Sequence, residues 1–396
     1  MNKYRLLVIA FCVVSLQACG GGSSNPGGNS GGNNDPPPSG TEVLYAANTF
    51  NAIYAFKIDQ TSGALNQIGS VTPGGNTATN SALALTPAGT FLYAANDDIG
   101  GIDGYTINSA GTFSLVAGSP FPISLTSPWP VVQSLTIERK GRFLYAPTLA
   151  GFGGIESFSI NSTTGALTPT GGPFSTFSLG LGGMPVGIAG DPSGSFLYAT
   201  DQDQSVWAFT ISAQDGTLTA VPGSPFHTGS QPYGLRVDPS GKFLYVAISN
   251  SNSVDAFAIN VATGALTHVP GAPFPTAATP FTQTYALTIH PSGKFLYAFN
   301  FNGSTVAAFT INSSNGILTP VSGSPFPITP TAQGDVIVDR SGKYLYLTLG
   351  PPSPPAAFAA FAIFNIDQTT GALRVNPQSP VLGSQQVQGL AVASYP

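Results

Sequence analysis

The chain has 396 residues, of which 42% are apolar and only 7% charged, with a formal net charge of −5 at pH 7. Soluble domains usually carry about 25% charged residues, so solubility here rests on Ser, Thr, Asn, Gln and Gly. The acidic balance argues against nucleic acid or an anionic membrane surface as a partner, and the apolar fraction is ample for one large all-β core.

In chain order, Lys3 and Arg5 precede an eleven-residue apolar run at 6–16, and Leu16-Gln17-Ala18-Cys19 follows. This is the layout of a secretion signal, and the run is shorter than the ~20 residues a membrane span needs. The tetrapeptide resembles the lipobox of bacterial lipoproteins. That resemblance implies a signal peptide at 1–18 and a lipid on Cys19, which would be the contact with the membrane. Because Gly20 rather than Asp follows, it also implies an exported outer-membrane lipoprotein whose folded part faces the periplasm or the cell surface. An ordinary cleaved signal with a chance cysteine is the alternative. Cys12 leaves with the signal and Cys19 is consumed, so no thiol remains for a disulfide, a nucleophile or a metal. Residues 20–40 hold Gly, Ser, Asn and Pro with one charge, Asp35, so 19–40 reads as the lipidated Cys19 followed by a flexible tether reaching about 25 Å.

From residue 41 onward one unit recurs. Residues 238–245 read Asp-Pro-Ser-Gly-Lys-Phe-Leu-Tyr, with variants at 86–93, 138–145, 191–198, 290–297 and 339–346. Its closing tyrosine falls at Tyr45, Tyr93, Tyr145, Tyr198, Tyr245, Tyr297 and Tyr346. Each unit divides into four β-runs, in the fifth at 233–238, 243–248, 253–260 and 265–270. The third and fourth are joined by a Gly turn such as Thr263-Gly264-Ala265-Leu266. Four strands in each of seven units of about fifty residues predict an all-β fold, a seven-bladed β-propeller of four-stranded antiparallel blades over 41–396. The first unit lacks a first strand, and Gln388-Gly-Leu-Ala-Val-Ala at the other terminus matches Tyr233-Gly-Leu-Arg-Val-Asp. The C-terminal strand is therefore expected to complete the first blade and close the ring.

The repeated Asp-Pro-Ser-Gly-Lys-Phe-Leu-Tyr, with Ser-Val-Asp-Ala-Phe-Ala-Ile-Asn at 253–260 and its counterparts, resembles the seven-bladed lactonase-type propellers. That family includes 6-phosphogluconolactonase and muconate-cyclising enzymes and is related to the YVTN-repeat proteins. The resemblance covers 41–396 and rests on turn and strand residues, so it speaks to fold more than to activity. It implies basic and acidic side chains at a channel mouth as the catalytic groups.

Strand alternation puts the first-to-second and third-to-fourth turns on one face, the turn face. Their charges recur from blade to blade and read as turn chemistry. The longer, varied connections on the opposite face are the expected place of function. They include 119–130, 174–185, 226–232, 274–284 and 350–357, and the recurring Ser-Pro-Phe or Ala-Pro-Phe among them reads as a packing clip.

Single departures from the repeat carry the functional argument. In the innermost strand Arg236 stands where other blades have Ala84, Thr136, Ala189, Thr288, Ile337 and Ala391. A guanidinium there can hold a carboxylate, a phosphate or a developing oxyanion, or be an internal ion pair with Asp255 or Asp203. Asp335 replaces Gly234, Ala286 or Ser134, to face Arg236 or to cap a loop. Of three histidines, His227 alone falls on the varied face. Asp103, Glu156 and Asp255 share one register at the start of the third strand and read as acceptors for loop amides, with a cation or sugar site as the alternative.

Gln133, Tyr233, Tyr285, Gln388, Trp129, Asp201 and Asn300, with Asn96, Gln283 and Phe281 nearby, are expected ligand contacts, since aromatics among amides suit a neutral polar ligand such as a sugar. The sequence has no His pair at metal spacing, no phosphate loop and no nucleophile elbow, so neither metal nor cofactor is expected. The reading is a lipid-anchored binding module for a glycan, a small polar ligand or an envelope protein. The alternative is a hydrolase of an uncharged lactone with Arg236 as oxyanion stabiliser and His227 or Asp335 as base.

Overall fold

The computed structural model describes residues 40–395 except 49–51, 73–81, 97–99, 124–131, 149–152, 172–184, 278–281, 330–331, 350–357 and 384–386. Seven antiparallel sheets follow one another along the chain, each a blade. Blade 5 consists of Pro232–Val237, Phe243–Ile248, Ser253–Ile259 and Leu266–His268 from the inside outward. The innermost strands lie next to one another around the ring.

Ring closure is as expected. Val387–Tyr395 is the inner strand of blade 1 and pairs with Thr41–Asn48 from Thr41↔Tyr395 to Asn48↔Val387. The tyrosine register also holds throughout. Tyr93, Tyr145, Tyr198, Tyr245, Tyr297, Tyr346 and Tyr45 sit opposite Ala84, Thr136, Ala189, Arg236, Thr288, Ile337 and Ala391.

The structure supplies the physical reason for the repeat. Each of those tyrosines donates its hydroxyl to the carbonyl of a glycine in the third-to-fourth turn of the next blade. The partners run Tyr45 to Gly111 (2.8 Å), Tyr93 to Gly165 (2.8 Å), Tyr145 to Gly216 (2.9 Å), Tyr198 to Gly264 (3.2 Å), Tyr245 to Gly316 (3.0 Å), Tyr297 to Gly371 (3.0 Å) and Tyr346 to Gly63 (2.9 Å). The circle is complete, and its last bond joins blade 7 to blade 1. Burial pushes the Tyr93, Tyr145, Tyr198, Tyr245, Tyr297 and Tyr346 phenols far above their usual range, which keeps them protonated donors. At Gly264 φ is +76°, and an added Cβ would lie 2.4 Å from the Phe196 ring. The glycine therefore supplies both a left-handed backbone and room for the aromatic two residues before the tyrosine.

One feature goes beyond four strands per blade. In blades 2, 4, 5 and 6 the Pro-Phe segment, and in blade 7 the segment after Pro380, forms a further short strand on the outer side of the third strand, as in Val206↔Phe226, Val254↔Phe274 and Phe361↔Val381. The clip is thus an edge strand. Its serine fills the gap between the two short outer strands by accepting a backbone N–H from the third strand. The pairs are Gly104 N to Ser119 Oγ at 3.0 Å, Ala208 N to Ser224 Oγ at 2.9 Å, Ala308 N to Ser324 Oγ at 2.9 Å and Ile363 N to Ser379 Oγ at 3.1 Å. Blade 5 has Ala272 at that place, and Asp255 Oδ1 accepts the Ala256 N–H instead, at 2.9 Å.

Candidate functional site at the central channel

The inner strand places one long cationic side chain inside the ring. Arg236 is only half-buried by surface area, yet enclosure by protein lowers its pKa, and the charge of Asp335 opposes that shift. Residual accessible surface together with strong desolvation is the signature of a side chain lining a channel. Blade 6 stands between the inner strands of blades 5 and 7, so Asp335 acts on Arg236 from two blades away. One Arg236 Nη donates to the Leu235 carbonyl at 2.9 Å. Asp335 rather than Asp255 or Asp203 is therefore the carboxylate that acts on Arg236. Asp255 is occupied elsewhere, accepting from Thr228 Oγ1 at 2.7 Å and lying 3.3 Å from His268 Nδ1.

The backbone shows how Asp335 reaches this place. Between the Pro232↔Ile248 and Leu235↔Val246 pairs, blade 5 has two inner-strand residues against one on its partner strand. Blades 1, 3, 4 and 6 likewise carry one extra residue near this end. Blade 7 has three residues against one between Ala332↔Leu349 and Val336↔Leu347, and its Gly334 adopts φ +110°. A widened bulge re-aims the side chains beside it. Its purpose is visible in blade 4, where a Cβ on Gly187 would lie 2.4 Å from the Tyr233 carbonyl oxygen. Gly187 and Asp335 both donate their N–H to a threonine, Thr200 and Thr348, each at 2.9 Å. Asp335 thus stands at a place where blade 4 has no room for a side chain, while blades 3 and 6 carry the small Ser134 and Ala286 there. It is 1% exposed, and its Oδ1 accepts the Val336 N–H at 2.8 Å. That enclosure suits a group that favours the charge of Arg236 better than one that meets a substrate.

Tyr233 and Tyr285 occupy equivalent places at the varied-face end of the inner strands of blades 5 and 6. Their rings are 4.4 Å apart, and Phe301 extends the row at 5.5 Å from Tyr285. All three are half-buried. Sequence reading did not single out Phe301; its spacing just beyond Asn300, at the end of the second strand, was the available sign. Gln133, also half-buried, stands at the equivalent inner-strand end of blade 3.

Other expected contacts lie elsewhere. Asp201 and Asn300 are 0% exposed. Asp201 accepts from Trp207 Nε1 at 3.3 Å and from the Asp203 N–H at 3.2 Å. Asn300 accepts from Thr284 Oγ1 at 2.9 Å and donates to Thr305 Oγ1 at 3.1 Å. Both fasten the end of the second strand and cannot touch a ligand. His227 forms part of the outer edge strand of blade 4, paired with Ser205. With strands ~4.8 Å apart, three steps set it about 14 Å out from the inner strand, so it is not brought to Arg236 and Asp335. Its carbonyl lies 3.1 Å from His268 Nε2 of blade 5. Gln388 lies on the closing inner strand, while Trp129, Phe281 and Cys19 fall outside the described residues.

The carboxylates at the start of the third strand hold local structure. Asp103 accepts from Asn96 Nδ2 at 2.8 Å, and Asp255 serves Ala256 and Thr228. Turn-face charges behave likewise: Asp238 Oδ1 accepts the N–H groups of Lys242 (2.8 Å) and Phe243 (2.7 Å). His290 fills the Asp238 place in blade 6, with Nε2 3.0 Å from the Gly342 carbonyl, and burial lowers its pKa. Among the described residues, no three His, Cys, Asp or Glu side chains are arranged to hold a metal.

Residues 184–281 match the family model described as Lactonase, 7-bladed beta-propeller. The matched segment spans blades 4 and 5 and includes Arg236. No curated protein matches the sequence. Among solved structures, the periplasmic gluconolactonase of Pseudomonas aeruginosa is similar with a TM-score of 0.74 at 18% identity, over 90% of this chain and 100% of that one. A candidate 6-phosphogluconolactonase from Bacteroides uniformis gives 0.73 at 20%, over 89% and 99%. One from Bacteroides fragilis gives 0.70 at 22%, over 91% and 100%. At these identities the likeness is one of fold.

Proposed function

We propose that the protein is a lactonase-type propeller that takes an uncharged, sugar-like lactone at the varied-face end of its channel. The observation that carries this reading is Arg236, a half-buried guanidinium on an inner strand whose charged form is favoured by the enclosed Asp335. A guanidinium in a low-dielectric site binds a carbonyl oxygen and stabilises it further as negative charge develops. Water adds to the carbonyl carbon, the ring C–O bond breaks, and the departing alkoxide takes up the proton, giving the hydroxy acid. Tyr233, Tyr285 and Phe301 offer ring faces to the apolar side of a sugar. The match over 184–281 and the gluconolactonase among the similar structures support the lactone class. One cation suits a neutral lactone better than a phosphorylated one. The proposed setting is an exported lipoprotein held by a lipid on Cys19.

A binding-only module is the second reading. It is favoured by the perimeter position of His227 and the enclosure of Asp335, which leave no general base assigned. A panel of aldonolactones and simple lactones, assayed with wild type, Arg236→Ala and Arg236→Lys, separates the two. Hydrolysis by wild type with a loss of about 10²–10³ in kcat/KM for Arg236→Ala is expected. Lactone binding by calorimetry without any turnover would establish the module, and neither binding nor turnover would sink both.

A further inference from the structure

At the varied-face end of blades 5 and 6 the side chains reach beyond what one sugar ring can touch. Tyr233, Tyr285 and Phe301 form a row, with rings 4.4 and 5.5 Å apart, running from the inner strand of blade 5 across blade 6 to the end of its second strand. Phe301 is a departure from the repeat, since the residue after the second strand is Ser249 in blade 5 and Gln202 in blade 4. The row is built on strained backbone. Gln231 and Gln283, each two residues ahead of a tyrosine, have φ +57° and +54°, and left-handed non-glycine backbone persists only where its surroundings hold it. The Gln231 carbonyl accepts the Ser249 N–H at 3.0 Å and the Gln283 carbonyl the Phe301 N–H at 2.9 Å. The same turn thus sets each tyrosine against the end of the second strand.

The surroundings of the row are polar and uncharged. No Asp, Glu, Lys or Arg occurs in 228–233, 249–253, 276–285 or 300–305, while Gln231, Asn250 and Asn302 are exposed there. Asn302 Nδ2 donates to Gln283 Oε1 at 2.9 Å, which leaves Asn302 Oδ1 and Gln283 Nε2 without a bond among the described residues, an acceptor and a donor side by side. Ring faces beside such a pair fit the apolar faces and hydroxyls of a neutral sugar, and these segments hold no cation for a uronate or a phosphate. The dimensions exceed a monosaccharide. Arg236 lies three residues along the strand from Tyr233, up to about 10 Å at the rise of a strand, and Phe301 continues the row beyond Tyr285. One sugar ring cannot reach from the guanidinium to Phe301, whereas a chain of sugars can. Successive ring planes turn by 49° and 63°, so the row is no flat plate and suits units that turn relative to one another along a chain.

We propose that this end of the channel takes a neutral oligosaccharide, with the lactone as its terminal unit near Arg236 and the following units on Tyr285 and Phe301. For the terminal unit this rests on the lactonase reading; the row stands on its own geometry. Phe301 is then the residue that sets the preferred chain length.

The test compares gluconolactone with cellobionolactone and maltobionolactone by proton release at constant pH. It uses wild type, Phe301→Ser, which puts the blade 5 residue at that place, and Phe301→Tyr. For wild type, kcat/KM on a disaccharide lactone is expected to exceed that on gluconolactone by about tenfold or more, the worth of one added stacking contact. Phe301→Ser brings the ratio close to one, and Phe301→Tyr keeps it. Equal efficiency of wild type on one-ring and two-ring lactones overturns the inference and leaves the lactonase reading standing, as does a preference that survives Phe301→Ser. Should Phe301→Ser fail to fold, the wild-type ratio decides by itself. If no lactone is turned over, the lactonase reading falls, and calorimetry with cellotriose and maltotriose decides the row. Binding lost in Phe301→Ser then supports an oligosaccharide site, while binding kept in that variant, or none in wild type, overturns it.

Discussion

The tyrosine and glycine that recur in each blade form one between-blade lock, and single substitutions separate its parts. Tyr245→Phe keeps the packed ring but leaves the buried Gly316 carbonyl without its donor, an expected loss of about 1–3 kcal/mol. Gly264→Ala meets the Phe196 ring at 2.4 Å and strains a backbone at φ +76°, so it is expected to cost more than the tyrosine change. Urea unfolding of the two variants measures both, and an alanine variant as stable as wild type would show that the lock does not carry inter-blade stability. The positions of these residues were legible in the sequence because the repeat fixes register. Their bonds were not, since the tyrosine and its glycine lie 66 to 74 residues apart, or 283 across the closure. Arg236 was likewise found by register alone. Asp201 and Asn300 were misread as rim residues because sequence shows that a polar residue ends a strand but not how deep that end lies.

At the scale of the strand, the outer edge of blades 2, 4, 5, 6 and 7 is divided between two short strands, and the third strand must satisfy one N–H at the division. Ser324→Ala leaves the Ala308 N–H, at a buried residue, without its acceptor, and a loss of about 1–3 kcal/mol in denaturant unfolding is expected. Blade 5 supplies the control. There Asp255 already accepts the N–H, so Ala272→Ser is expected to change stability by less than about 0.5 kcal/mol. Composition alone named the Pro-Phe segment a clip. The division was hidden because two residues are too few to show alternation, and the serine's role depends on a strand sixteen residues earlier in the chain. The blade 7 bulge had a readable sign in Gln333-Gly334-Asp335 against Tyr233-Gly234. Only pairing on both sides establishes that one residue is additional.

For the ring as a whole, two buried carboxyls sit where the first strand meets the blade 7 turn. Burial and the neighbouring Asp339 push the Glu42 carboxyl up to about 7 from 4.5, and burial raises Asp339 to about 6 from 3.8. Both folded-state values exceed the unfolded ones, so between these limits the folded protein binds more protons and stability falls as pH rises. Asp59, Asp215 and Asp367 have the opposite sign, held low by turn hydrogen bonds, and they lose their contribution as pH falls below about 4. Melting temperature is therefore expected to peak near pH 4–5 and decline towards pH 7 and above. In Glu42→Gln the decline is shallower; an unchanged slope would place the titrating groups elsewhere.

Removal of 388–396 tests closure itself. The strand inserts Leu390 and Val392 into the cluster shared by blades 7 and 1, and the cut also frees Val387. At roughly 1.5–3 kcal/mol per buried aliphatic side chain, these three account for about 5–9 kcal/mol, comparable with the ~5–15 kcal/mol total stability of a typical domain. The cut also bares the backbone of Thr41–Asn48 as an open sheet edge. The truncated chain is expected to melt far lower or to aggregate, and restoring 388–396 as a separate peptide should recover part of the loss, because the slot between blades 7 and 2 is already shaped by six other blades.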